Sequence, residues 1–187
     1  MENVNKDWFL AINAYAGKNH ILDVIITAIA QYTPYLFIVG LFYLWFTNKK
    51  DEALFAGYAT TLGIAINMLI GLVYVHPRPY MQSLGHTLLA HKNDSSFPSD
   101  HTTFLFSIAF MLITFHSTRK LGNLAILLSF ACGIGRVYSG VHWPYDIIGS
   151  IIVSVIAVAL IHAFKNRLVF LDSIIISSWK RIFERVK

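Results

Sequence analysis

IIGSIIVSVIAVALIHAF, residues 147–164, runs without a single Asp, Glu, Lys or Arg. A helix needs roughly 20 mainly apolar residues to cross the hydrocarbon core of a bilayer, and this run supplies them with its immediate flanks. Outward from it, residues 121–134, 53–75 and 21–46 read the same way, and residues 102–115 make a fifth apolar segment. Two of the five are short for the distance. The segment at 102 is therefore expected to start near Ser99, and the segment at 121 to continue past Arg136. Across the chain 56% of residues are hydrophobic and the mean hydropathy is +0.56, above what a soluble domain carries. The expected fold is all-α: a polytopic membrane helical bundle of five, or six, transmembrane helices, forming one domain over residues 1–187.

Lys and Arg are retained on the cytoplasmic side of short loops, which orients such a bundle. Lys49 with Lys50, Arg119 with Lys120, and the tail residues Lys165, Arg167, Lys180, Arg181, Arg185 and Lys187 fall at every second segment end. Five spans with the N-terminus outside and the C-terminus inside satisfy that pattern. They place the loops 75–99 and 136–146 together on the outer face. The net charge of +5 does not point to nucleic acid. The basic residues of segment 166–187 alternate with Trp179, Ile182, Phe183 and Val186, as in an amphipathic helix at the bilayer interface. Residues 1–20, with Trp8, Phe9, Leu10 and Ile12, read as a second interfacial segment; no positive leader or small-residue cleavage site marks a signal peptide. The lone Cys132 lies in an apolar span and is read as packing.

Connections are turn-length except residues 76–96, where Pro77, Pro79, Gly85, Asn93, Asp94, Ser95 and Ser96 signal loop structure. A long outer loop on an economical bundle is a candidate lid. Alternatively, its Leu84, Leu88 and Leu89 form a short helix on the membrane surface.

Polar residues gather where the apolar segments end: Arg78-Pro79, Pro98-Ser99-Asp100-His101, then Arg136, His142 and Asp146. A charge at membrane depth costs at least about 2.5 kcal/mol, so these groups call for partners or an anion. Interfacial snorkelling accounts for one arginine more easily than for the set. Two guanidinium groups on different loops of one face offer paired donors to phosphoryl oxygens. Ser99, at the start of a helix, either caps it or adds an anion contact, or both, and Asp100 there favours the helix dipole. His142 precedes Asp146 by one helical turn, so a carboxylate can fix its tautomer and leave the other ring nitrogen free to attack phosphorus. His101 has no such partner and suits the general acid. A His/Asp cluster can also hold a metal, but two arginines would repel a cation, so no metal or other cofactor is expected. His20, His116 and His162 sit near segment ends, and His86 and His91 in the loop, without an assigned role.

With these residues in place, the chain resembles the type 2 phosphatidic acid phosphatase superfamily, whose motifs are K-x6-R-P, P-S-G-H and S-R-x5-H-x3-D. Arg78-Pro79, Pro98-Ser99-Asp100-His101 and Arg136, His142, Asp146 stand in that order with the last spacing intact. The resemblance implies a phosphohistidine mechanism with His142 as nucleophile, Asp146 as its orienting acid, His101 as general acid, and Arg78, Ser99 and Arg136 as phosphate binders. Three positions depart from the pattern. Gly71 stands where the family has lysine, Asp100 where it has glycine, and Gly135 where it has serine; His76 or Lys92 are candidate substitutes for the missing cation. The run Phe97 to Thr103 is most similar to bacterial undecaprenyl-diphosphatases of the bacitracin-resistance type. That subgroup implies a polyprenyl diphosphate substrate in a bacterial cell membrane, hydrolysed on the outer face. A phosphatase for phosphatidic acid or phosphatidylglycerol phosphate, and a transporter whose arginines only bind phosphate, remain alternatives.

Overall fold

The computed structural model describes residues 2–183, so Arg185, Val186 and Lys187 of the basic tail lie outside the described residues. Helices are α1 (Glu2–Asn13), α2 (His20–Phe46), α3 (Lys50–Val73), α4 (Asp100–Thr114), α5 (Arg119–Tyr138), α6 (Pro144–Ala163) and α7 (Lys165–Phe183), with short 3-10 turns at Pro79–Gln82 and His116–Thr118. No strand occurs among the described residues. Helices α2, α3 and α6, and α5 with its preceding turn, are long and apolar enough to cross a bilayer.

The fifth apolar helix, α4, has 15 residues, about 22 Å at the rise of an α-helix and short of a hydrocarbon core about 30 Å thick. It tolerates that length because it is surrounded by protein. Leu105, Phe106, Ser107, Ile108, Ala109, Met111 and Leu112 are all buried, and α3, α5 and α6 pack around them. Small residues allow the close approach: a Cβ on Gly63 of α3 would stand 2.9 Å from Ser107 Oγ. Hydroxyls bind the helices where no water competes. Ser107 Oγ donates to Ser154 Oγ at 3.1 Å, Ser154 Oγ to the Thr103 carbonyl at 3.2 Å, and Ser150 Oγ to the Ser99 carbonyl at 2.9 Å. Large apolar side chains such as Leu72, Val73, Leu127 and Ile152 stay exposed on the outside of the bundle, where lipid covers them.

Pro34 lies inside α2 and has no N–H to give to the Ala30 carbonyl. The Cys132 thiol of α5 reaches that oxygen at 3.5 Å. The cysteine expected to be simple packing therefore also satisfies a backbone acceptor.

At one end of the bundle α7 docks through Asp172, which accepts from Tyr58 Oη at 2.8 Å, and through Trp179 against Trp45 and Phe46. At the other end lie α1, the loop from Tyr74 to Ser99, and the α5–α6 turn. Helix α1 holds this end together. Its Asn13 side chain donates to the carbonyls of His86 (2.8 Å) and Tyr138 (2.7 Å) and accepts the His86 N–H at 2.7 Å. Asn5 Oδ1 accepts the Tyr145 N–H at 3.0 Å, and Phe9 is fully buried beside Trp143. Gly140 has φ +79°, and a Cβ there would stand 2.3 Å from the His86 carbonyl oxygen. The loop and the turn thus touch only because that residue lacks a side chain. Residues 84–89, considered above for a short surface helix, form no helix. Their polar backbone is taken up by α1 and by the turn, as in the Leu88 N–H to Ser139 carbonyl bond at 3.0 Å.

Candidate active site

Three short segments at the α1 end bring the motif residues together. His142 ends the α5–α6 turn, and Pro144 starts α6, a position that requires no backbone donor. Asp146, two residues further on, is fully buried, and its Oδ2 accepts the Trp143 N–H at 2.8 Å. The same oxygen lies 3.1 Å from His142 Nδ1, and the Ser96 carbonyl lies 3.0 Å from that nitrogen. Both neighbours are acceptors, so Nδ1 carries the proton. His142 Nε2 faces Arg78 Nη1 at 3.1 Å. A guanidinium can only donate, so Nε2 bears a lone pair. The fold therefore fixes the tautomer whose free nitrogen points at the arginine. Burial, opposed by Asp146 and reinforced by Arg136 and Arg78, lowers the His142 pKa to about 4.

Arg78 is 4% exposed and held from several sides. Nε donates to Asp94 Oδ1 at 2.9 Å, Nη1 also to the Val141 carbonyl at 2.8 Å, and Nη2 to the Ser95 carbonyl at 3.2 Å; Nη2 lies 2.8 Å from Asp94 Oδ1 as well. Arg136 differs. It is 3% exposed, within Coulombic reach of Arg78 and His142, and its Nε and Nη2 have no protein partner. Ser99 stands just before α4, yet its Oγ makes no cap bond; it is fully buried without a partner. Ser99 is fixed through its backbone instead: its carbonyl accepts from Thr102 Oγ1 and Ser150 Oγ, and its N–H reaches the Asp146 carbonyl. A buried donor left unmade costs about 1–3 kcal/mol. A guanidinium and a hydroxyl in that condition beside a neutral imidazole have the chemistry of an anion site. His101, on the first turn of α4, is half-buried and within Coulombic reach of Arg78, Arg136, His91 and His142.

Three further residues border this cluster: His91 and Asp94, to which the sequence assigns no role, and His76, a candidate for the missing cation. The His91 ring lies edge-on to His142, centroids 6.0 Å apart. Burial, followed by the charges of Arg78 and Arg136, lowers its pKa below the ordinary value. Asp94 pairs with Arg78. His76 stands 3.6 Å from Asp146 Oδ1 and 3.0 Å from Ser96 Oγ, on the acidic side of His142 rather than beside the arginines. Nothing in their spacing distinguishes them in the sequence.

The motif departures also acquire reasons. A Cβ at Gly135 would stand 3.1 Å from Ala30 Cβ and 3.2 Å from the Ile26 carbonyl oxygen, so α2 leaves little room for a serine. Asp100 accepts from Asn67 Nδ2 at 2.9 Å, tying α4 to α3. A Cβ at Gly71 would meet nothing within 4 Å; no contact explains why lysine is missing.

A family model described as the PAP2 superfamily matches residues 52–170. The chain is 33% identical to a Bacillus subtilis (strain 168) protein named undecaprenyl-diphosphatase BcrC, over 98% of this chain and 93% of that one. It is 29% identical to a Bacillus licheniformis protein named bacitracin transport permease protein BcrC, over 98% and 91%. The crystal structure of Aquifex aeolicus LpxE superposes with a TM-score of 0.73 at 25% identity, covering 86% of this chain and 95% of that one.

Proposed function

The chain belongs to the PAP2 superfamily, and from that membership we propose that it is an undecaprenyl-diphosphatase acting on the outer face of a bacterial cell membrane. The observation that carries the chemistry is the buried trio of Arg136, with Nε and Nη2 unpartnered, the unpartnered Ser99 hydroxyl and tautomer-fixed His142. The 33% identity to a protein named for this activity supports the substrate. The outer face is supported by charge placement: Lys49, Lys50, Arg119, Lys120, Lys165 and Arg167 lie at the end of the bundle away from the site.

In the proposed reaction the terminal phosphate sits between Arg136, Ser99 Oγ and a reoriented Arg78. The His142 Nε2 lone pair forms a bond to phosphorus as the bridging P–O bond breaks. The bridging oxygen leaves on the lipid monophosphate and takes a proton from His101. Positive charge developing on the imidazole is stabilised by Asp146 through Nδ1–H. Water then attacks the phosphohistidine, His101 accepts its proton, the N–P bond breaks and inorganic phosphate departs. Fixed arginine charge supplies the electrostatic stabilisation throughout, with no metal step. The product is the carrier lipid monophosphate for cell-wall synthesis. Resistance to bacitracin follows because hydrolysis removes the diphosphate that the antibiotic sequesters.

The test compares purified wild type and His142→Ala for phosphate release from undecaprenyl diphosphate with a chelator present, alongside phosphatidic acid and phosphatidylglycerol phosphate. Release by wild type, abolished in His142→Ala and strongest for the isoprenyl diphosphate, is expected. Equal release by the two proteins removes His142 as nucleophile, preference for a glycerolipid changes the substrate, and no release from any lipid phosphate favours a transporter.

A further inference from the structure

A guanidinium has five N–H donors, and in Arg78 all of them face an acceptor. Nη1 serves the Val141 carbonyl and His142 Nε2, Nη2 serves the Ser95 carbonyl and Asp94, and Nε serves Asp94. A phosphate that takes this arginine must displace something. Two of the acceptors are backbone carbonyls fixed by the loop and the turn. The third is the nucleophile itself. Only Asp94 is a charged side chain, and with its side chain 54% exposed it is also the one free to move into water, while the Arg78 side chain is buried. Its Oδ1 sits on the Nε/Nη2 edge, the edge on which guanidinium groups bind phosphate side-on.

We propose that Asp94 is an internal stand-in for the phosphate. Between turnovers it occupies the phosphate edge of Arg78 and holds Nη1 against the His142 lone pair. It yields to the terminal phosphate of the lipid, and it returns to help expel inorganic phosphate. This deepens the phosphatase reading and rests on it. The proposal has a definite sign. A residue that braces Arg78 for binding would, when removed, weaken phosphate binding; a competitor, when removed, strengthens it.

The experiment is calorimetric titration of the full-length protein in detergent with inorganic phosphate, for wild type, Asp94→Asn and Asp94→Ala. Both variants are expected to bind phosphate about tenfold more tightly, the equivalent of about 1.4 kcal/mol, and to show a lower KM for undecaprenyl diphosphate. Unchanged or weaker phosphate binding overturns the proposal. Should Asp94→Ala fail to fold, the near-isosteric Asp94→Asn decides. Wild type that binds phosphate but releases none from any lipid phosphate sinks the phosphatase reading, while the titrations still decide whether Asp94 competes for Arg78.

Discussion

Replacing Asp146 by Asn keeps the size of the side chain and removes its charge, which isolates what the carboxylate does for His142. The simplest expectation is loss of the correct tautomer, which costs about 10⁴ in kcat in the serine protease that is the worked example of this arrangement. Here the Ser96 carbonyl, 3.0 Å from Nδ1, still accepts that proton and preserves the tautomer. What disappears is the electrostatic part. Carboxylate and ring stand 3.1 Å apart, where a full charge pair at an effective dielectric constant of about 20 is worth about 5 kcal/mol. With about half a charge developed on the ring at the transition state, the carboxylate contributes about 2.7 kcal/mol, about a hundredfold in rate. Asp146→Asn should therefore lower kcat for phosphate release about a hundredfold with little change in KM. The assay is lipid diphosphate hydrolysis at saturating substrate, with thermal stability as a check on folding. A fall of less than about threefold in a folded variant would refute the coupling of Asp146 to His142. A fall of about 10⁴ would show that the tautomer depends on Asp146 and that Ser96 does not hold it.

Ser99→Ala should divide stability from activity: its Oγ has no partner, so the melting temperature should hold, while activity drops about tenfold through one lost bond to a charged oxygen; a melting temperature that falls with activity would return Ser99 to a structural role. His142, with its pKa lowered to about 4, should remain neutral and protonated at Nδ1 from pH 7 down to about 5, as read by ¹⁵N histidine NMR with His142→Gln for assignment; charging near the ordinary value of about 6.5 would contradict the burial argument. Gly140→Ala, with φ +79° and a Cβ 2.3 Å from the His86 carbonyl, should separate the loop from the turn and lower the melting temperature by several degrees, about 1–3 kcal/mol of strain; an unchanged melting curve would mean that the loop shifts freely.

That the six motif residues gather at one end of the bundle was legible because a chain this apolar makes polar groups at its span ends conspicuous, and because the His142–Asp146 spacing is one helical turn. The same logic located the helix starting at Asp100 and the extension of α5 to Tyr138. Asp94 and His91 escaped it, and His76, expected as a stand-in for the missing lysine, stands instead beside Asp146. They lie in a segment without periodicity, and their positions depend on α1 holding residues 84–89, a contact between parts of the chain far apart in sequence. The contact of Gly135 with α2 was equally hidden, since helix neighbours cannot be read from the pattern of one helix. Ser99 was only half readable: its place before a helix was clear, but that its hydroxyl leaves the cap unmade required the surrounding backbone.

The bond from Cys132 to the Ala30 carbonyl opposite Pro34 has a practical consequence. The only thiol in the sequence is buried and engaged, so water-borne maleimides should pass it by. A cysteine placed at Lys92 or at Lys49 would then be the sole reactive label without any cysteine-free background being made. Labelling intact cells with an impermeant reagent would reveal directly which end of the bundle faces the exterior.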